Sequence, residues 1–131
     1  MPVQHFNGPV VTTSGGTQWQ SRVSVEWTDP GTGPNVQVWY TYKFILLQGS
    51  VSDSGNQVSW TDPWGAGAAL NAPISISGSG EVVVGGTFTA WHGVTYGANT
   101  PMNFSLTINN IGSGNTGPSV ASGTAWIAPR V

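Results

Sequence analysis

The sequence predicts an all-β fold. We expect a single antiparallel β-sandwich, immunoglobulin-like or jelly-roll, with about seven or eight strands and almost no helix. Three observations predict it. Apolar residues recur with period two, the repeat of a strand that buries one face. Turn-forming Gly, Pro, Asn and Asp separate these stretches at intervals of about 8–14 residues. Helix formers are scarce, whereas Gly is 19 and Pro 9 of 131 residues, with Ser and Thr at 14 each.

Each element can be justified in chain order. Residues 1–16 are rich in Gly and Thr and lack a period. They read as an N-terminal arm that lies on the sandwich or reaches a neighbour, ahead of a single domain over 17–131. From Trp19 to Trp27 the odd positions are Trp, Ser, Val, Val and Trp, and the even positions are all polar. That is one strand with a buried odd face. Asp29-Pro30-Gly31-Thr32-Gly33-Pro34 ends it as a loop, because Pro30 removes a donor and glycine accepts positive φ. A second strand runs over 36–47. Its even set, Val36, Val38, Tyr40, Tyr42, Phe44 and Leu46, should enter the core. Its odd set includes Trp39, Ile45 and Leu47, so that face is either covered near its end or meets a partner.

Shorter strands follow at 57–60, 73–77 and 81–84, with Gly78-Ser79-Gly80 as the turn between the last two. Others are expected over 87–96, 103–108 and 119–127. Gly65-Ala66-Gly67-Ala68-Ala69-Leu70 is the one place for a helical turn, short and rich in Gly. The tetrapeptide Trp27-Thr28-Asp29-Pro30 recurs as Trp60-Thr61-Asp62-Pro63. It reads as repeated turn chemistry, Asp bonding its own backbone two residues on.

Composition narrows function. Only 6% of residues are charged, 3 basic and 5 acidic, against about 25% in an average globular chain. Three cations neutralise few phosphates, so nucleic acid is not an expected partner. There is no Cys, hence no disulfide or thiolate chemistry. The longest apolar run, Phe44-Ile45-Leu46-Leu47, is far short of a membrane span, so no membrane insertion is expected. Residues 1–9 show no basic segment followed by an apolar stretch, so they do not read as a secretory signal. A polar, weakly charged composition without an export signal fits a virus particle released by lysis. The alternative is a mature fragment.

Catalysis and cofactors are not expected. Two His (His5, His92) and five carboxylates (Glu26, Asp29, Asp53, Asp62, Glu81) form no recognised motif, and no Gly-x-Ser-x-Gly elbow occurs. Asp53-Ser54-Gly55-Asn56 lacks the ligand spacing of a calcium loop and reads as a tight turn. The seven Trp are more informative. By parity Trp19, Trp27 and Trp126 fall on core faces, while Trp39, Trp60, Trp64 and Trp91 fall on the opposite face or in loops. Exposed indoles serve contact surfaces or sugar stacking. Trp39, Trp60, Asp62, Trp64 and Trp91 are therefore the candidate contact or glycan-stacking residues. The alternative is that the loop indoles tuck under and close one end of the sandwich. Few charges also leave strand edges poorly protected, which suits a chain that assembles with others.

Three segments carry a family resemblance: residues 16–27 (Gly-Thr-Gln-Trp-Gln-Ser-Arg-Val-Ser-Val-Glu-Trp), 91–97 (Trp-His-Gly-Val-Thr-Tyr-Gly) and 119–129, which contains Ser-Gly-Thr-Ala-Trp-Ile-Ala-Pro. The chain resembles, over about 16–129, the small immunoglobulin-like β-sandwich modules of tail and fibre proteins of long-tailed bacteriophages. It departs from them at Ala98, where an Asp often sits. The resemblance implies a virion structural protein, tail-associated and repeated by symmetry. Its expected partners are copies of itself in a homo-oligomer, other virion proteins and a host-surface glycan. It carries over no catalytic residue. A carbohydrate-binding module or lectin and a capsid decoration protein are the alternatives.

Overall fold

A computed structural model describes residues 3–112 and 116–129. Among these there are eleven strands and no helix. They are β1 (Val3–Asn7), β2 (Val11–Thr12), β3 (Gln18–Thr28), β4 (Asn35–Gln48), β5 (Ser50–Asp53), β6 (Gln57–Asp62), β7 (Gly65–Leu70), β8 (Ile74–Ser77), β9 (Gly80–Gly93), β10 (Thr100–Asn109) and β11 (Ser119–Ile127). The larger sheet has the order β1-β3-β4-β9, with β2 beside β3. The smaller has the order β11-β10-β6-β7, and β5 pairs β8 separately. Every ladder is antiparallel.

The two sheets pack face to face, as the sequence predicts. Val23, Val25, Val38, Tyr42 and Phe44 from the larger sheet share one cluster with Met102, Phe104, Leu106 and Ile108 from the smaller. The alternation of β3 and β4 decides this. Trp19, Ser21, Val23 and Val25 are buried, as is the whole even set of β4, and Trp19 stacks on Phe44 at 5.4 Å. The odd face of β4 divides: Ile45 is buried, Trp39 half-buried and Leu47 exposed.

Several expectations change. Gly65–Leu70 is a strand and not a helical turn, because it pairs along all of β6 and sets Gly67 directly opposite Trp60. A Cβ on Gly67 would lie 2.5 Å from indole atoms, so the small residues there make room for the ring. Segments 81–84 and 87–93 belong to one strand, β9, which shifts register against β4 near Gly86, and the expected strand over 87–96 stops at Gly93. Strand β5 escapes the sequence reading because Val51 is its one apolar residue, which shows no alternation. Within residues 1–16, β1 pairs β3 from Val3↔Glu26 to Asn7↔Arg22. Phe6 lies over Gly123 of β11, and the following Gly8 fits between Ser21 and Ser119.

Trp126 is the clearest reversal. The parity of β11 places it in the core, yet it is 54% exposed, and Ala121, Ala125 and Ile127 point inward instead. Both faces of this strand carry apolar residues. The pairing with β10 turns the Ala121, Ala125 and Ile127 face inward, and Gly123 on that face leaves room for Phe6 of β1.

Candidate contact surfaces

Three regions bring together the candidate contact residues and the exposed indoles. The first is an aromatic box at one end of the sandwich, built from β4, β6, β9 and β10. Asp62 ends β6, and its carboxylate organises the box. Its Oδ1 accepts the backbone N–H of Trp64 at 2.9 Å, and its Oδ2 accepts the Tyr42 hydroxyl at 3.0 Å. The first bond is the local Asx turn, and Asp29 repeats it by accepting Gly31 N–H at 2.8 Å. The echoed tetrapeptide is thus the same turn used twice.

The turn folds Trp64 back over the core. Its ring stacks on Tyr40 at 5.2 Å and meets His92 edge-on at 5.5 Å, and its Nε1 donates to the Trp91 carbonyl at 3.1 Å. Trp60 is turned inward from β6. It stacks on Tyr42 at 5.2 Å, with Gly67 and Gly85 against its ring. Of the five candidates, Trp60, Asp62 and Trp64 therefore meet in one cluster, Trp60 from the inward face where sequence parity places it outside, and Trp64 at its rim with 36% of its surface exposed. Tyr40, Tyr42, Phe88 and Phe104 complete it. Sequence reading assigns both tyrosines to the core but misses their carboxylate partner, because 20 residues separate Tyr42 from Asp62. Burial first, and then the Asp62 charge, push Tyr40 up to about 12 and raise Tyr42 as well.

The second region is the outer face of the larger sheet. Trp39 forms part of a groove of about 270 Å³ with His5, Glu26, Thr41, Lys43 and Thr87. His5 Nδ1 and Ser24 Oγ are 2.7 Å apart, and Lys43 pairs with Glu81 at 3.2 Å. Trp91 stands on the same face at 60% exposure, beside Pro30 and Pro34 of the β3–β4 loop. The register Trp39↔Thr89 and Gln37↔Trp91 makes the two indoles diagonal neighbours. Among the described residues, Arg22, Glu26, Lys43 and Glu81 all lie on this face.

The third region is the outer face of the smaller sheet. Its rows run Trp126–Pro101, Thr124–Asn103, Ser122–Ser105–Thr61–Ala66 and Val120–Thr107–Ser59–Ala68, ending with Asn109–Gln57–Leu70. No described residue on it is charged. Trp126 and Val120 are exposed, as is Leu70 at 69%. Sequence reading misses this surface, since it depends on which strands become neighbours.

In the Asp53–Asn56 turn Ser54 and Gly55 are exposed, while the Asn56 side chain is buried. Asn56 Nδ2 donates to Asp53 Oδ2 at 2.6 Å and to the Ala72 carbonyl at 2.7 Å, while Asn56 Oδ1 accepts Ala72 N–H at 3.0 Å. Asp53 Oδ1 accepts Gly112 N–H at 2.9 Å. Among the described residues, no group of three or more His, Asp or Glu is placed to hold a metal ion. No family model matches the chain, and no curated protein or solved structure matches it.

Proposed function

We propose that this chain is a structural subunit of a bacteriophage particle, a minor tail or tail-fibre component that works by contact with neighbouring subunits. The observation that carries this reading is the uncharged outer face of the smaller sheet, four strands wide, with Trp126, Val120 and Leu70 standing exposed on it. A face of this kind has little to keep it apart from another protein surface. The phage origin rests on the resemblance of segments 16–27, 91–97 and 119–129 to tail and fibre modules.

The test is immunogold labelling of particles released by cells that carry the gene, using antibody against the purified chain. Label along the tail or its fibres supports the reading. Label over the head moves the chain to capsid decoration, and particles without label overturn a virion role.

A second reading has its own observation. The groove around Trp39, with Trp91 diagonal to it, joins indole faces to hydroxyl, carboxylate and ammonium groups, which is the chemistry of saccharide binding. It fits contact with a host-surface glycan. Titration of bacterial-surface oligosaccharides should then give binding that Trp39→Ala and Trp91→Ala abolish. Flat signals from the unaltered chain would remove this reading.

A further inference from the structure

Among the described residues, the two main sheets end in four strands: β1 and β9 in the larger, β11 and β7 in the smaller. An end strand presents unpaired N–H and C=O groups, and proteins normally blunt it. Three of the four are blunted here. Strand β9 carries a register shift and Glu81. Strand β11 is overlaid by β1 and the segment after it, with Phe6 of β1 seated on Gly123 and Ser119 Oγ donating to the Pro9 carbonyl at 2.7 Å. Strand β1 has only five residues and lies alongside the charged Arg22 and Glu26.

Strand β7 has none of these devices. Gly65-Ala66-Gly67-Ala68-Ala69-Leu70 contains no charge and no proline. Its ladder with β6 runs without a register shift from Asp62↔Gly65 to Gln57↔Leu70, and among the described residues no strand pairs its other side. An antiparallel ladder uses the backbone groups of alternate residues towards one neighbour, so the rest point away from β6. Gly65, Ala66, Ala68 and Leu70 are exposed.

We propose that two copies of this chain pair through β7, antiparallel about a twofold axis at Ala68, so that two four-stranded sheets become one. The strand is complementary to itself in that register. On the outer face Leu70 of one copy meets Ala66 of the other, and Ala68 meets Ala68. On the inner face Gly67 meets Ala69. Large residues face small ones, and no like charges are opposed. The uncharged surface of each smaller sheet also lets the two lie side by side without repulsion. This inference rests on the subunit-contact reading above and names the partner and the edge.

The experiment is sedimentation velocity on the full chain across a concentration series. The unaltered chain should sediment as a dimer, at twice the 13.6 kDa chain mass. Ala68→Lys sets two ammonium groups opposite each other and should weaken self-association by about 100-fold. Ala68→Ser, neutral and small, should keep the dimer. Circular dichroism on both variants verifies that the fold is intact. If the Lys variant fails to fold, Ala66→Lys replaces it, one row away on the same exposed face. A chain that stays monomeric up to its solubility limit overturns the proposal, and so does a dimer indifferent to these lysines. Labelled tails with a monomeric chain would sink the pairing alone. A lysine-sensitive dimer with no labelled particle would sink the virion reading alone.

Discussion

Replacing Trp60 by Ala separates a packed indole from a binding platform. Trp60 stacks on Tyr42 at 5.2 Å and lies against Gly67 and Gly85, so most of its surface is out of water. About 150 Å² of lost burial at ~25 cal/mol/Å² comes to about 4 kcal/mol. Chain compaction in the unfolded state lowers this, whereas the cavity and the lost stacking raise it, so we expect about 3–5 kcal/mol. That is a large share of a typical domain's stability, about 5–15 kcal/mol. Trp91→Ala provides the contrast. Its ring is 60% exposed, and the change should stay within about 0.5 kcal/mol. The assay is urea unfolding of both variants followed by far-ultraviolet circular dichroism. A cost below about 1 kcal/mol for Trp60→Ala would refute the packing argument.

Three further outcomes are expected. Asn56→Ala strips partners from the buried N–H and C=O of Ala72 and from Asp53, and should cost about 2–4 kcal/mol in the same urea assay. Gly123→Val should dislodge Phe6, so hydrogen exchange should quicken across β1 and stay slow between β3 and β4. Stability should fall at alkaline pH. The folded state holds Tyr40 near 12 and Tyr42 raised, while the unfolded chain ionises both near 10, so their contribution is intact below about pH 10 and lost as pH climbs towards 12. Urea midpoints from about pH 9 to about pH 12 should drop, and Tyr40→Phe with Tyr42→Phe should flatten the drop.

The strands most legible in the sequence are those whose two faces differ in polarity. The odd positions of β3 and the even positions of β4 meet this condition, and the structure buries them. The loop at 29–34 was equally plain, because Pro and Gly act locally. The Asp62 turn was legible for the same reason, but the destination of the indole it carries was not.

Sequence alone therefore determined an all-β chain, the inward faces of its two central strands, and a surface with few charges. Only the tertiary structure decided that Trp60 points inward and Trp126 outward, that Gly65–Leu70 extends along β6, and that the charges of the two central strands gather on one outer face while the other has none among the described residues. The physical reason is range. Alternation and turn chemistry act within a few residues. A side chain's exposure and a strand's free edge depend on which distant strand lies beside it, and that pairing is set when the whole sandwich closes.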